Sequence, residues 1–276
     1  MRAPTLLALL ALLLAWPAAA QEQIVKVPGP GGATLVVNVM RPAGEARRPL
    51  VVINHGSPAD GAQRSKMTPP RYQALSSWFL ARGYVVALPL RRGYGESSGP
   101  WAENYGRCDG ADYYSAGLQG AADIKATIDY MRAQPFVAPD RTLVVGQSAG
   151  GWATVALSSQ NPPGVSGMIN FAGGRGGHQK LPGGGTGNCS PEALVQAAGR
   201  YGATARVPIL WIYAENDSFF EPALAKRMVS AYDASGGKAT FRPVGAFGRD
   251  GHNLGASNDG TPVWAPLVEG LLATLK

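Results

Sequence analysis

From residue 24 onward, short apolar runs alternate with longer stretches of mixed polarity. Residues 24–27 and 34–40 read as two strands separated by a Gly/Pro turn, and residues 50–54 form a continuous apolar run of the kind buried on both faces of a sheet. Further strands are expected at 84–89, 141–146, 166–171, 208–213 and 239–244. Helices are expected between them at 71–82, 109–134, 149–159 and 221–234, with a last one at 262–275. In the longest of these, Ile124, Ile128 and Met131 recur at i, i+4 and i+7 and make one apolar face. Gly83, Pro135 and Asn161-Pro162-Pro163 punctuate the pattern. Strands separated by helix-length segments imply parallel crossovers. The expected class is therefore α/β, a mostly parallel sheet with helices on both faces and an antiparallel N-terminal edge.

Two stretches break the rhythm. Residues 1–20 run from Met1-Arg2 through an apolar core to Ala18-Ala19-Ala20, the make-up of a secretory signal peptide, with an uncleaved anchor as the alternative. Residues 21–276 are then one domain's worth of chain. Residues 172–187 are very rich in glycine and have too few apolar side chains to order themselves strongly. Following a strand's C-terminal end, they belong either to a pocket wall or to a plain connection.

The formal charge of +7 is spread along the chain. The basic residues read as solubility and attraction to acidic surfaces; no basic stripe marks a nucleic-acid interface. Cys108 and Cys189 are an even pair in an exported chain, which favours a disulfide over two unrelated thiols. Neither has metal-ligand spacing.

Gly146-Gln147-Ser148-Ala149-Gly150 is a G-x-S-x-G sequence between an expected strand and an expected helix, the context in which a serine sits on a strained turn as a nucleophile. A serine hydroxyl needs a base, and histidine is the usual one near neutral pH. The order nucleophile, acid, histidine excludes His55, and His178 has no strand-end acid before it. His252, between the last strand and last helix, fits. Asp217, directly after the strand at 208–213, is the expected acid, ahead of Glu215; Asp250 is better placed to shape the histidine loop. The backbone N–H groups of Ala149 and of Ser57, in the loop Asn54-His55-Gly56-Ser57-Pro58, are the expected oxyanion donors. His55 supports that loop. Trp101, Tyr105 and Trp152 are candidate pocket aromatics, with the core as their alternative.

NHGSP, RRGYGES, GQSAGG, AENDSFF and DGHNL, in this order, span nearly the whole mature chain. Together they resemble the α/β-hydrolase superfamily, in particular its dienelactone-hydrolase-like and prolyl-oligopeptidase-like branch. The resemblance implies hydrolysis through a covalent acyl-enzyme without a cofactor, and a loop around Tyr94 near the pocket. Dienelactone hydrolases proper use cysteine where this chain has Ser148, and oligopeptidases carry a large extra domain that has no room here. The expected activity is that of a secreted or periplasmic serine esterase acting on small-molecule esters, with no nucleic-acid partner and no stable membrane insertion after signal removal. A peptidase or amidase with the same triad is the first rival. A non-catalytic binding protein on this fold is the second.

Overall fold

The computed structural model describes residues 21–180 and 186–275, so the leader expected at residues 1–20 lies outside them. The chain enters through β1 (Gln21–Pro28) and β2 (Thr34–Arg41), an antiparallel pair. β3 (Arg48–Asn54), α1 (Gln73–Ala81), β4 (Val85–Pro89) and α2 (Tyr113–Arg132) follow. β5 (Val137–Gln147), α3 (Ala149–Ser158) and β6 (Val165–Phe171) form the centre. After two short antiparallel strands of two residues each, β7 (Gln179–Lys180) and β8 (Thr186–Gly187), come α4 (Pro191–Gly202), β9 (Ile209–Ala214), α5 (Pro222–Ala234), β10 (Ala239–Val244) and α6 (Thr261–Thr274).

Eight strands make one sheet in the order β1-β2-β4-β3-β5-β6-β9-β10. β2 meets β4 antiparallel, and from β4 to β10 every pairing is parallel. Along β3 the side chains alternate between two cores. Leu50 and Val52 join a layer with Tyr113, Ile124, Trp152, Tyr201 and Met228. Val51 and Ile53 join the other, with Trp78, Phe79, Trp264 and Val268. Helices α2 to α5 thus cover one face and α1 with α6 the other, the three-layer arrangement expected of parallel crossovers. The buried apolar runs of the central strands follow directly, because neither face of those strands meets water.

α4 is absent from the expected elements. It opens on Pro191, whose missing N–H falls where a helix start has no partner to lose, and buries Leu194, Ala197, Ala198 and Tyr201 at i, i+3, i+4 and i+7. α1 begins two residues later than expected because Tyr72 is left-handed, at φ 39°. α2 begins at Tyr113, capped by Asp112, whose carboxylate accepts the Ser115 N–H at 2.9 Å. Cys108 and Cys189 are bonded, with Cα atoms 5.3 Å apart, and the bridge ties the start of α4 to the segment before α2. Among the described residues no helix is long and apolar enough to cross a membrane.

Candidate active site

Ser148 stands between β5 and α3 with φ 55° and ψ −120°, a conformation a side-chain-bearing residue rarely adopts. The tightness of this turn explains its glycines. A Cβ on Gly150 would lie 2.6 Å from the His55 carbonyl oxygen, and one on Gly146 would run into the Gly150 backbone. The turn points the hydroxyl outward over the C-terminal edge of the sheet, where open α/β sheets hold ligands.

Three residues expected from chain order meet here. Ser148 Oγ is 2.9 Å from His252 Nε2, and His252 Nδ1 is 3.1 and 3.2 Å from the two carboxylate oxygens of Asp217. The carboxylate faces Nδ1, so that nitrogen carries the proton and Nε2 is left to accept the serine's. Asp217 Oδ1 also accepts the N–H groups of Phe219 and Phe220 at 2.9 and 3.0 Å, which fix the carboxylate in place. Asp250 does what its position suggested. Its carboxylate accepts the His252 N–H at 3.0 Å and the Ser218 hydroxyl at 2.6 Å, joining the acid and histidine loops. Phe219, missed in the sequence, stacks on the His252 ring at 4.1 Å between centroids, with His178 stacked on its other side at 4.0 Å. Glu215, the alternative acid, is exposed, and among the described residues its carboxylate makes no hydrogen bond to His252.

Ser57 and Ala149 line the same narrow cleft as Ser148. Among the described residues neither N–H has an acceptor, so both are available to a bound oxygen. The loop holding Ser57 is anchored from below. Arg91 Nη1 donates to the His55 carbonyl at 2.8 Å, the Arg91 N–H donates to His55 Nε2 at 3.3 Å, and Tyr72 Oη accepts the Gly56 N–H at 3.1 Å. His55 Nδ1 lies 2.7 Å from the Gly56 carbonyl, so the ring is neutral with its proton on Nδ1.

Beneath this loop lies a cluster that local sequence patterns did not reveal. Arg91 and Arg175 both pair with Glu103, and all three are buried. The Tyr94 hydroxyl donates to Glu103 at 3.1 Å and accepts Trp101 Nε1–H at 3.2 Å. The expectation that basic residues lie on the surface is therefore corrected for Arg91 and Arg175: the Glu103 carboxylate, 12 residues from Arg91 and 72 from Arg175 along the chain, neutralises part of their charge. Burial alone would raise the Glu103 carboxyl; the two guanidinium groups overcome it and hold it down to about 2.

Tyr94 and Trp152, expected as pocket residues, are core instead. Both are fully buried, and Trp152 Nε1 donates to the Tyr113 carbonyl at 2.8 Å. Trp101 and Tyr105 do line the cleft. So do Gly174, Arg175, Gly176 and Gly177, and residues 172–176 are buried throughout, which corrects the expectation of weak ordering for this part of the glycine-rich segment. Its glycines are there for closeness. A Cβ on Gly177 would lie 2.9 Å from the Phe219 ring, and Gly176 takes φ 71°.

Two clefts meet at Ser148. The narrower, about 100 Å³, holds Ser57, Ala149, Arg64, Trp101, Arg175 and Phe219 along its walls. The wider, about 540 Å³, has His252, Tyr72, Met67, Pro70 and Lys66 around it.

Burial first, and then the nearby Arg91 charge, push His55 from 6.5 down to about 3. The unfolded chain binds a proton there below pH 6.5 that the folded chain refuses until about pH 3, so stability falls with pH across that window. About 1.4 kcal/mol is lost per unit. Denaturant unfolding at pH 7 and pH 5 is expected to show about 2 kcal/mol less stability at the lower value from this residue. His55→Gln should remove that share of the difference; an unchanged pH dependence in the variant would show that His55 is not its source.

The sequence model of the X-Pro dipeptidyl-peptidases (S15 family) matches residues 31–232. No curated protein sequence matches the chain significantly. Among solved structures, an esterase of Pyrococcus furiosus superposes with a TM-score of 0.63 at 14% identity, over 92% of this chain and 93% of its own. A Klebsiella pneumoniae protein assigned as a dienelactone hydrolase gives 0.57 at 14% identity, over 91% and 98%. A puromycin-hydrolysing peptidase of Mycobacterium tuberculosis gives 0.58 at 18% identity, over 94% of this chain and 41% of its own. At these identities the structures speak for the α/β-hydrolase fold.

Proposed function

Since the chain belongs to the X-Pro dipeptidyl-peptidase (S15) family, a hydrolase of esterase or peptidase type on an α/β-hydrolase fold, we propose that it is an exported serine esterase working through Ser148, His252 and Asp217. The observation that carries this reading is the aligned pair of contacts, Ser148 Oγ to His252 Nε2 and His252 Nδ1 to Asp217. The leader composition at residues 1–20 and the Cys108–Cys189 bridge support export.

In the proposed reaction His252 takes the Ser148 proton as Oγ bonds to the ester carbonyl carbon. The oxygen, now negative, sits between the Ser57 and Ala149 N–H groups. As the carbonyl reforms, the bond to the leaving oxygen breaks and His252 passes it the proton. Water then attacks the acyl-enzyme, giving its proton to His252 and its oxygen to the acid product, and Ser148 recovers the proton. Asp217 stays ionised and steadies the imidazolium.

The family's name favours a second reading, amide cleavage at a peptide, in which His252 protonates an amine. Both readings predict that a fluorophosphonate labels the folded protein at Ser148, and failure to label would sink them together. Matched p-nitrophenyl esters and aminoacyl p-nitroanilides then divide them: we expect ester turnover well above anilide turnover, and the reverse would make the protein a peptidase.

A further inference from the structure

We propose that the narrow cleft beside Ser148 selects acyl groups that themselves carry a carboxylate, held by Arg64 and Arg175; the proposal rests on the ester-hydrolase reading and names its substrate class. Sidedness comes first. His252 must hand a proton to the leaving oxygen, and His252 lines the wide cleft, so the leaving group lies there. Ser57 borders both clefts, but Ala149 lines the narrow one and His252 does not, so the narrow cleft is left for the acyl chain. Its volume of about 100 Å³ suits a short one.

Charge comes second. Among the described residues neither cleft is lined by an aspartate or a glutamate, whereas Arg64 and Arg175 line the narrow one. Arg64 lies over the Trp101 ring, 3.8 Å from its centroid, and makes no ion pair among the described residues. Arg175 is 5% exposed; its Nη2 is occupied by Glu103, and its Nε has no acceptor among the described residues. The buried group of Arg91, Arg175 and Glu103 has two positive charges against one negative, and a buried surplus charge is costly until an anion joins it. An acyl carboxylate in this cleft meets the stacked guanidinium of Arg64 and the surplus charge of Arg175 together. A peptide N-terminus, positively charged, meets the wrong sign.

The rival use of the same charge is support of the oxyanion, which would favour all esters alike. The test is therefore a ratio. We expect kcat/KM for p-nitrophenyl hydrogen glutarate, above its spontaneous hydrolysis, to exceed that for p-nitrophenyl valerate at least tenfold at low ionic strength. High salt should shrink the ratio. Arg64→Gln should bring it towards one, and Arg64→Lys should restore part of it. A wild-type ratio near one, or the same ratio in Arg64→Gln, would overturn the proposal. If the protein hydrolyses no ester, the esterase reading fails and glutarate binding to Ser148→Ala by calorimetry decides the subsite alone. Binding weakened tenfold or more by an added Arg64→Gln upholds the anion site, and no detectable binding removes it.

Discussion

Ser148→Ala is expected to lower ester kcat about 10⁶-fold while leaving the fold intact, the largest effect of any single change in the molecule. The side chain is small and its site opens onto the cleft, so alanine creates no cavity and strands no buried partner beyond the His252 nitrogen. The strained backbone at φ 55° remains as it was, since alanine tolerates it no worse than serine. Asp217→Asn is expected to cost less, about 10⁴-fold, because the amide presents a donor where His252 needs an acceptor and so favours the wrong tautomer. Single-turnover kinetics with an activated ester checks both: a burst of nitrophenol equal to the enzyme concentration, present in the wild type and absent from Ser148→Ala, places the acyl group on that oxygen. Ser148→Ala retaining even a hundredth of wild-type kcat would mean that another group attacks the substrate.

The alternation of runs along the chain was enough to place the large sheet, because strands covered on both faces leave continuous apolar runs that loops and surface helices do not. The meeting of Ser148, Asp217 and His252 was equally legible, since each follows a strand and the order of the three in the chain is restricted. α4 is hard to read in the sequence although Leu194, Ala197, Ala198 and Tyr201 carry its period, because two of the four are alanines, whose small side chains mark an apolar face weakly. Tyr94 and Trp152 show a different limit. An aromatic side chain near a motif has the same composition whether it turns to the pocket or to the core, and the partners that decide, Glu103 for one and the Tyr113 carbonyl for the other, lie 9 and 39 residues away along the chain. Arg91 and Glu103 lie 12 residues apart in the connection between β4 and α2, and Arg175 lies 72 residues beyond Glu103 in another. No period or spacing links them, so each reads singly as a surface charge until the fold brings them together.

That cluster carries the second large effect. Glu103→Gln is expected to destabilise the protein by about 3–5 kcal/mol, because it leaves the Arg91 and Arg175 guanidinium groups buried with no opposite charge between them. For a domain of this size that is a fall in Tm of about 6–20 °C. Activity should fall even well below the melting range. Glu103 orients Arg91, Arg91 holds the His55 carbonyl at 2.8 Å, and that carbonyl belongs to the loop whose next N–H groups include the one at Ser57. Glu103 also fixes Arg175 and hence the glycine-rich wall, so one carboxylate sets both the donor loop and the side of the cleft facing it. A loosened donor loop weakens the transition state more than the ground state, so kcat should drop with KM little changed. Acid behaviour gives an independent reading. With its carboxyl at about 2 in the folded chain and 4.5 as the ordinary value, Glu103 contributes stability that is complete above pH 4.5 and is lost as the pH falls towards 2. Glu103→Gln should remove that loss, leaving the variant less stable at neutral pH yet less sensitive to acid below pH 4.5. Calorimetry of both proteins at pH 7 and pH 3.5, with ester kinetics at 25 °C, tests the whole chain of contacts. A variant with wild-type Tm would show that the two arginines find their balance elsewhere, and one that melts early but keeps its kcat would separate the cluster from the oxyanion loop.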